Sequence, residues 1–226
     1  MEFTTRMLRP LILLAGAIPA LAQQYTITTV AGGAPPPTPA AVLNSSIQPR
    51  KMMVSGSNTY FSSGNSVFKI DSGGTMTLVA GNSRAGFGGD GGPAVNALLN
   101  SPGGMAFDSA GNLYVADTLN NRVRKVDTSG IITTFAGNGN VSVPGFWGDG
   151  GAATDAQIHG PVQIVVDSGN NVYIVAAADN TIRKVDTNGI ITIFAGEGYK
   201  GYYGDSGMTN STGQANVAGI TGPQDL

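Results

Sequence analysis

The 226-residue chain has no cysteine, a single histidine and a single tryptophan. Without thiols there is no disulfide framework, and with only His159 to supply imidazole, the usual zinc ligand sets and the Cys/His or Ser/His catalytic pairs lack their parts within these residues. No Gly-x-x-x-x-Gly-Lys-Ser/Thr run occurs, so a phosphate-binding loop of that type is absent. Charged residues make up 12% of the chain, with Lys plus Arg at 12 against Asp plus Glu at 14, which leaves no basic nucleic-acid footprint. A hydrophobic content of 41% excludes a charge-driven disordered chain. Glutamate is nearly missing too: Glu2 and Glu197 stand against twelve aspartates. Glu favours helices and Asp favours turns, so this skew points to an all-β chain.

The first 22 residues have the order of an export signal. Arg6 and Arg9 precede the apolar run 11–18, and Pro19 and Ala20-Leu21-Ala22 follow with an A-x-A pattern. The run is too short to cross a hydrocarbon core that needs about 20 residues, and no cysteine follows it to carry a lipid. Cleavage after Ala22 is expected, with the mature chain secreted or periplasmic and without a membrane span. Removing Glu2, Arg6 and Arg9 leaves 10 basic and 13 acidic side chains, a net charge of −3.

What the chain has in excess is glycine, 34 residues or about 15%, against an average share of about 7%. A repeat explains most of it. Val/Phe-Ala-Gly recurs at 30–32, 79–81, 135–137 and 194–196, Gly-Asp-Gly-Gly at 89–92 and 148–151, with an echo at 204–207, and Arg-Lys-Val-Asp at 124–127 and 183–186. A self-similar period of 56 to 59 residues signals a propeller or solenoid. Within one period, four β-type runs fall at 103–108, 112–117, 122–127 and 131–136, with hairpin turns at 108–111 and 127–130. Four short strands per period fit a β-propeller blade. Runs such as Ile190-Ile191-Thr192-Ile193-Phe194 are apolar on successive residues, which predicts sheets covered on both faces. The 3–4 spacing of apolar residues in 93–99 predicts a single helical turn between blades, with its counterpart at 152–158.

The stretch Asn112-Leu113-Tyr114-Val115-Ala116-Asp117-Thr118-Leu119-Asn120-Asn121-Arg122-Val123-Arg124-Lys125-Val126-Asp127, preceded by residues 101–108, strongly resembles an NHL repeat. Counting the weaker copies, the resemblance covers essentially all of 25–226, in the manner of exported bacterial NHL proteins with an added Gly-Asp-Gly-Gly linker. It implies a β-propeller, commonly of six blades, used most often as a binding platform. Blades are expected at about 47–81, 99–137 and 158–196, with an orphan outer strand at 25–31 and the start of a fourth blade at 220–226. Propellers need about four to eight blades to close, so the chain reads as a fragment or a truncated reading frame, expected to self-associate through open blade flanks.

No catalytic, cofactor-binding or metal-ligating residue is assigned. His159 reads as a surface turn residue, and Asp90, Asp149 and Asp205 as parts of tight turns, since one carboxylate per loop is far short of the oxygens that Ca²⁺ takes. Arg124-Lys125 and Arg183-Lys184 read as solvated charges that discourage edge pairing. In blade 3 the Asp and Arg of the loop after the second strand are lost, with Ala176 and Thr181 in their places. The aromatics before the Gly-Asp-Gly-Gly loops, Phe87, Phe146-Trp147 and Tyr202-Tyr203, read as caps on inter-blade packing, or else as a contact surface for a glycan or partner protein. The functional expectation is an exported, non-enzymatic NHL-type propeller supporting protein or glycan contacts. Its alternative is part of an extracytoplasmic lyase or lactonase whose catalytic residues lie in further blades.

Overall fold

The β-branched and aromatic runs form strands where the turn chemistry leaves room for them. The computed structural model describes residues 40–41, 47–141, 148–196 and 224. The export signal at 1–22, the strand at 25–31 and, apart from residue 224, the start of a fourth blade at 220–226 lie outside the described residues. No helix among the described residues is long and apolar enough to cross a membrane.

Three antiparallel sheets follow one another. The first runs from inner to outer edge as β2 (Pro49–Ser55), β3 (Asn58–Ser63), β4 (Ser66–Ile70) and β5 (Thr75–Ala80), with β1 (Ala40–Ala41) added outside β5. The second is β6 (Pro102–Phe107), β7 (Leu113–Asp117), β8 (Arg122–Val126) and β9 (Ile132–Ala136). The third is β10 (Pro161–Val166), β11 (Val172–Ala176), β12 (Thr181–Val185) and β13 (Ile191–Ala195). All-β blades of four strands are thus what the chain builds. Their faces are buried against one another, as the continuous apolar runs require: Leu99, Val115 and Ile132 lie in a core between blades 1 and 2, and Ile158, Ile174 and Ile191 in one between blades 2 and 3. At the inner edge the strands β6 and β10 approach so closely that a Cβ on Gly104 would lie 2.9 Å from the Cα of Gln163.

The hairpin corners account for much of the aspartate. Asp71, Asp108, Asp127, Asp167 and Asp186 each accept two amides of their own turn at 2.8–3.0 Å. The short Asp side chain reaches these amides where Glu would overshoot. Asp108 and Asp167 carry a further network: Asn112 and Tyr114 donate to Asp108 at 2.7 and 3.1 Å, and Asn171 and Tyr173 donate to Asp167 at 2.8 and 3.2 Å.

The linkers are stitched to both neighbours. Each descends along the outer strand of the blade that follows it, so that Pro93 bridges Ile131 and Ala152 bridges Ile190, just as β1 pairs with Thr75 and Met76. It then turns, through a 3-10 turn at Ala94–Asn96 in one linker and a hydrogen-bonded turn from Ala152 to Asp155 in the other. The Ala94 amide donates to Gly130 of blade 2 while its carbonyl accepts from Gly81 of blade 1; Ala153 likewise donates to Gly189 and accepts from Gly137. Side chains add a second stitch: Asn65 accepts the Ser101 amide, and Asn121 the Gly160 amide, each at 3.0 Å from one blade to the next.

The Val/Phe-Ala-Gly signature has a steric basis here. Ala80 and Ala136 are fully buried. Gly137 sits at φ +88°, and a Cβ there would lie 2.4 Å from the carbonyl oxygen of Asn121. Gly137→Ala is therefore expected to destabilise the protein by at least about 1–3 kcal/mol, from the positive φ and the clash together, measured as a shift in the urea midpoint. Acid sensitivity gives a second expectation. Burial would raise the Asp108 carboxyl, but the donors Asn112, Tyr114 and Ala110 outweigh it and hold the group below its usual 3.8. A depressed folded-state value contributes stability above the unfolded value that is lost as pH falls through the folded one. Thermal midpoints of wild type and Asp108→Asn should therefore converge as the pH is lowered below about 3.8.

Candidate contact face at the linker loops

Each linker meets the turn after the second strand of the following blade at the same end of the sheet. In blade 2 that turn is Thr118–Asn120, followed by Asn121 in the left-handed region at φ 54°. Asn120 donates to the Gly86 carbonyl at 2.6 Å, which docks the linker onto it.

Beneath this face lies a buried ion pair, which overturns the reading of Arg124 and Arg183 as solvated charges. Both arginines are completely buried. Arg124 reaches Asp90 of the Gly-Asp-Gly-Gly loop at 2.5 Å and Asp117 at 3.3 Å, and Arg183 reaches Asp149 at 2.7 Å. Thr134 also donates to Asp90, at 2.6 Å. The ladder shifts register at Val123/Arg124 and again at Ile182/Arg183, and such a bulge re-aims the side chain, here toward the linker. Lys125 and Lys184, one residue on, point to the opposite side and are half-buried. Asp90 and Asp149 thus do more than shape turns: each anchors its linker to a guanidinium. Burial pushes the Asp149 carboxyl up against the opposing pull of Arg183, and burial likewise raises Asp117 against Asn120, the Asn100 amide and Arg124.

Blade 3 shows the same network rebuilt. Where blade 2 has Asp117, blade 3 has Ala176, and the acid reappears at Asp179 in the 3-10 turn Ala177–Asp179. Asp117 accepts the Asn100 amide at 2.7 Å, and Asp179 accepts the equivalent His159 amide at 2.9 Å. The His159 ring closes the pair, with Nδ1 2.8 Å from Asp179 and a side chain only 12% exposed. His159 is therefore more than a surface turn residue: mostly buried, it is the ring partner of the displaced aspartate. Burial raises the Asp179 carboxyl despite the His159 amide, the imidazole and Arg183.

Of the aromatics singled out in the sequence, Phe87 is placed and is 44% exposed. The Arg122 guanidinium carbon lies 3.8 Å from its ring centroid, with Arg124 at 4.9 Å. Arg122 is fixed in turn by donating to the Asn120 and Asn138 carbonyls at 3.1 and 2.6 Å. Leu119 (63% exposed) and Val141 (58%) stand on the same side, lining a shallow cleft of about 410 Å³ with His159 and Ala178. Sequence reasoning missed Leu119, Val141 and Arg122. Phe146, Trp147, Tyr202, Tyr203 and Asp205 lie outside the described residues. Among those described, no cluster of three or more His, Cys, Asp or Glu side chains is arranged to hold a metal.

Removing one partner from a buried ion pair leaves an uncompensated charge at a cost of about 3–5 kcal/mol. Arg124→Met should lose that much, Asp90→Ala less because Asp90 is partly exposed, and the double variant less than the sum of the two, in a urea-unfolding double-mutant cycle.

Comparison with known proteins agrees with this architecture. The family model for the Teneurin NHL domain matches residues 83–145, which span the first Gly-Asp-Gly-Gly linker and blade 2. Teneurin-1 of Gallus gallus is 33% identical over 111 residues, 48% of this chain and 4% of that protein. The chloroplastic protein SUPPRESSOR OF QUENCHING 1 of Arabidopsis thaliana is 31% identical over 135 residues, 58% of this chain and 12% of the relative. The chain thus spans a small fraction of these relatives' length. Among solved structures, an auxiliary nutrient binding protein from Bacteroides thetaiotaomicron superposes with a TM-score of 0.50 at 18% identity, over 74% of this chain and 39% of its own, a likeness of fold alone. The repeated blades, their shared turn chemistry and the match of residues 83–145 to the Teneurin NHL model together support an NHL repeat protein.

Proposed function

We propose that the protein is an exported, non-enzymatic binding scaffold whose linker-loop face engages a protein or glycan partner. The observation that carries this reading is Phe87, held half-exposed beneath the Arg122 guanidinium, with Leu119 and Val141 exposed on the same side. An aromatic ring locked by a guanidinium loses little conformational freedom on binding, and an arginine beside exposed apolar groups is the composition enriched in recognition surfaces. The buried pairs Arg124 with Asp90 and Arg183 with Asp149 support the reading by fixing the loops that carry this surface, so it is formed before a partner arrives. Export is supported by the order of Arg6 and Arg9, the apolar run 11–18 and Ala20-Leu21-Ala22.

The test uses the full chain on an array of purified glycans, together with photo-cross-linking to envelope proteins from a probe at position 87 and, as a control, from one at position 129 on the hairpin side. Selective binding or cross-linking through position 87 is expected. Phe87→Ala and Leu119→Ala should weaken it by about tenfold or more while the thermal midpoint stays within a few degrees. Equal cross-linking from both positions, with no glycan retained, would overturn the reading.

A further inference from the structure

The opposite, hairpin side of the blades holds a second feature. Each blade carries a cross-strand Tyr/Lys pair, and at the two described junctions this pair faces the outer hairpin of the next blade. The pairs are Tyr60 with Lys69, Tyr114 with Lys125 and Tyr173 with Lys184. In blades 2 and 3 the outer strand supplies a phenylalanine to this place. Phe135 packs edge-on against Tyr114 with ring centroids 4.7 Å apart, and Phe194 against Tyr173 at 4.9 Å. The register, in which Met76 opposes Ile70 as Ile132 opposes Val126, puts Val79 at the equivalent position of blade 1.

Phe107 of blade 2, standing where blade 3 has Val166, supplies the ring against Tyr60 instead, and the cleft beside it stays open. The cleft between blades 1 and 2 has a volume of about 500 Å³, against about 340 Å³ for its counterpart between blades 2 and 3, which Phe135 lines. Tyr60, lacking its own phenylalanine, meets Phe107 of the next blade edge-on at 4.9 Å. The cleft is floored by apolar groups, among them Leu78, Val79, Phe107 and Leu113, and rimmed by Lys69, Thr77 and Asp127. The lysine differs as well. Lys125 and Lys184 stand over their tyrosine rings at 5.6 and 5.8 Å, whereas among the described residues the Lys69 ammonium makes no ring contact, hydrogen bond or ion pair. The Asp127 carboxylate, also on the rim, is engaged by the Ser129 and Ile131 amides of its own turn.

We propose that this cleft binds a small aromatic carboxylate. The ring lies on the apolar floor beside Tyr60, Val79 and Phe107, and the carboxylate meets Lys69 at the rim. The volume lies within the usual range for small-molecule pockets, and an apolar floor with one convergent charge is the lining such ligands find. Edge-on aromatic packing and burial of the ring supply the attraction, and the ammonium selects the anion over neutral analogues. The site is distinct from the Phe87 face, so it stands or falls independently of the proposed scaffold function.

The experiment titrates the full chain with 3-phenylpropionate, its neutral amide and the aliphatic hexanoate, followed by NMR shifts and calorimetry. Saturable binding of 3-phenylpropionate is expected, weaker by several-fold for the amide and about tenfold for hexanoate. Val79→Phe narrows the cleft beside Phe107 and should weaken binding by about tenfold or more in a chain that still unfolds cooperatively. Lys69→Gln, a half-exposed change, should bring the acid and its amide to equal affinity while keeping ring binding. The proposal is overturned by an absence of saturable binding to the folded chain, by unchanged affinity in Val79→Phe, or by a Lys69→Gln variant that still prefers the acid.

Discussion

Everything in this molecule depends on the peptide unit at Ala94 and its repeat at Ala153. Each has its N–H committed to the blade ahead and its C=O to the blade behind, and each is almost wholly buried. Buried backbone polar groups must be paired, so neither blade can leave without exposing the linker or orphaning these groups. A larger side chain at either position would push the blades apart, which is why alanine recurs there, followed by Ala97 and Leu99 in one linker and Ala156 and Ile158 in the other. The blades are consequently not three small domains but one array in which each repeat is stabilised by its neighbours.

The buried arginines serve position more than stability. Blade 1 has Phe68 where blades 2 and 3 have Arg124 and Arg183, and the segment that precedes it, 34–41, contains no acid. Phe68 is buried and stacks on Phe61 with centroids 5.5 Å apart, so the same backbone closes well over an apolar pair. Buried ion pairs are often no more stable than apolar replacements. What the arginine adds is an orienting force on the linker, through Asp90 or Asp149 and the Leu98 and Gln157 carbonyls that it also reaches. That is also the linker whose outer side carries Phe87.

The period, the four strands and the two hairpin corners of each blade were legible in the sequence, because turn residues and β-branched runs act locally. The aspartate skew was legible for the same reason: five of those residues cap their own turns. The burial of Arg124 and Arg183 was not, since each partner lies 34 positions upstream and a register shift turns the side chain toward it. Strand alternation in Arg-Lys-Val-Asp could have signalled that arginine and lysine face opposite ways. His159 was hidden by alignment with Asn100, a residue whose side chain has no equivalent task; only the displacement of the acid from position 117 to its counterpart three residues later explains the imidazole. Leu119 lies in a 3-10 turn and Val141 in an irregular stretch, neither with a sequence pattern to read.

Repeats furnish their own control, because the fold asks the same thing of each copy. A departure matched by a second change is structural: Ala176 is answered by Asp179 and His159, and the absence of acid before blade 1 by Phe68. At Val79 the answer comes from the next blade, where Phe107 stands at the position that Val166 holds in blade 3. Blades 2 and 3 each place their own phenyl ring against their tyrosine, and Phe107 does so for Tyr60 from blade 2, yet the cleft beside it still measures about 500 Å³. An unfilled apolar space forfeits contacts along its whole lining, so drift toward stability would tend to close it. Together with Lys69, which among the described residues makes no ring contact where Lys125 and Lys184 do, this marks the first junction as the one that keeps the larger open cleft.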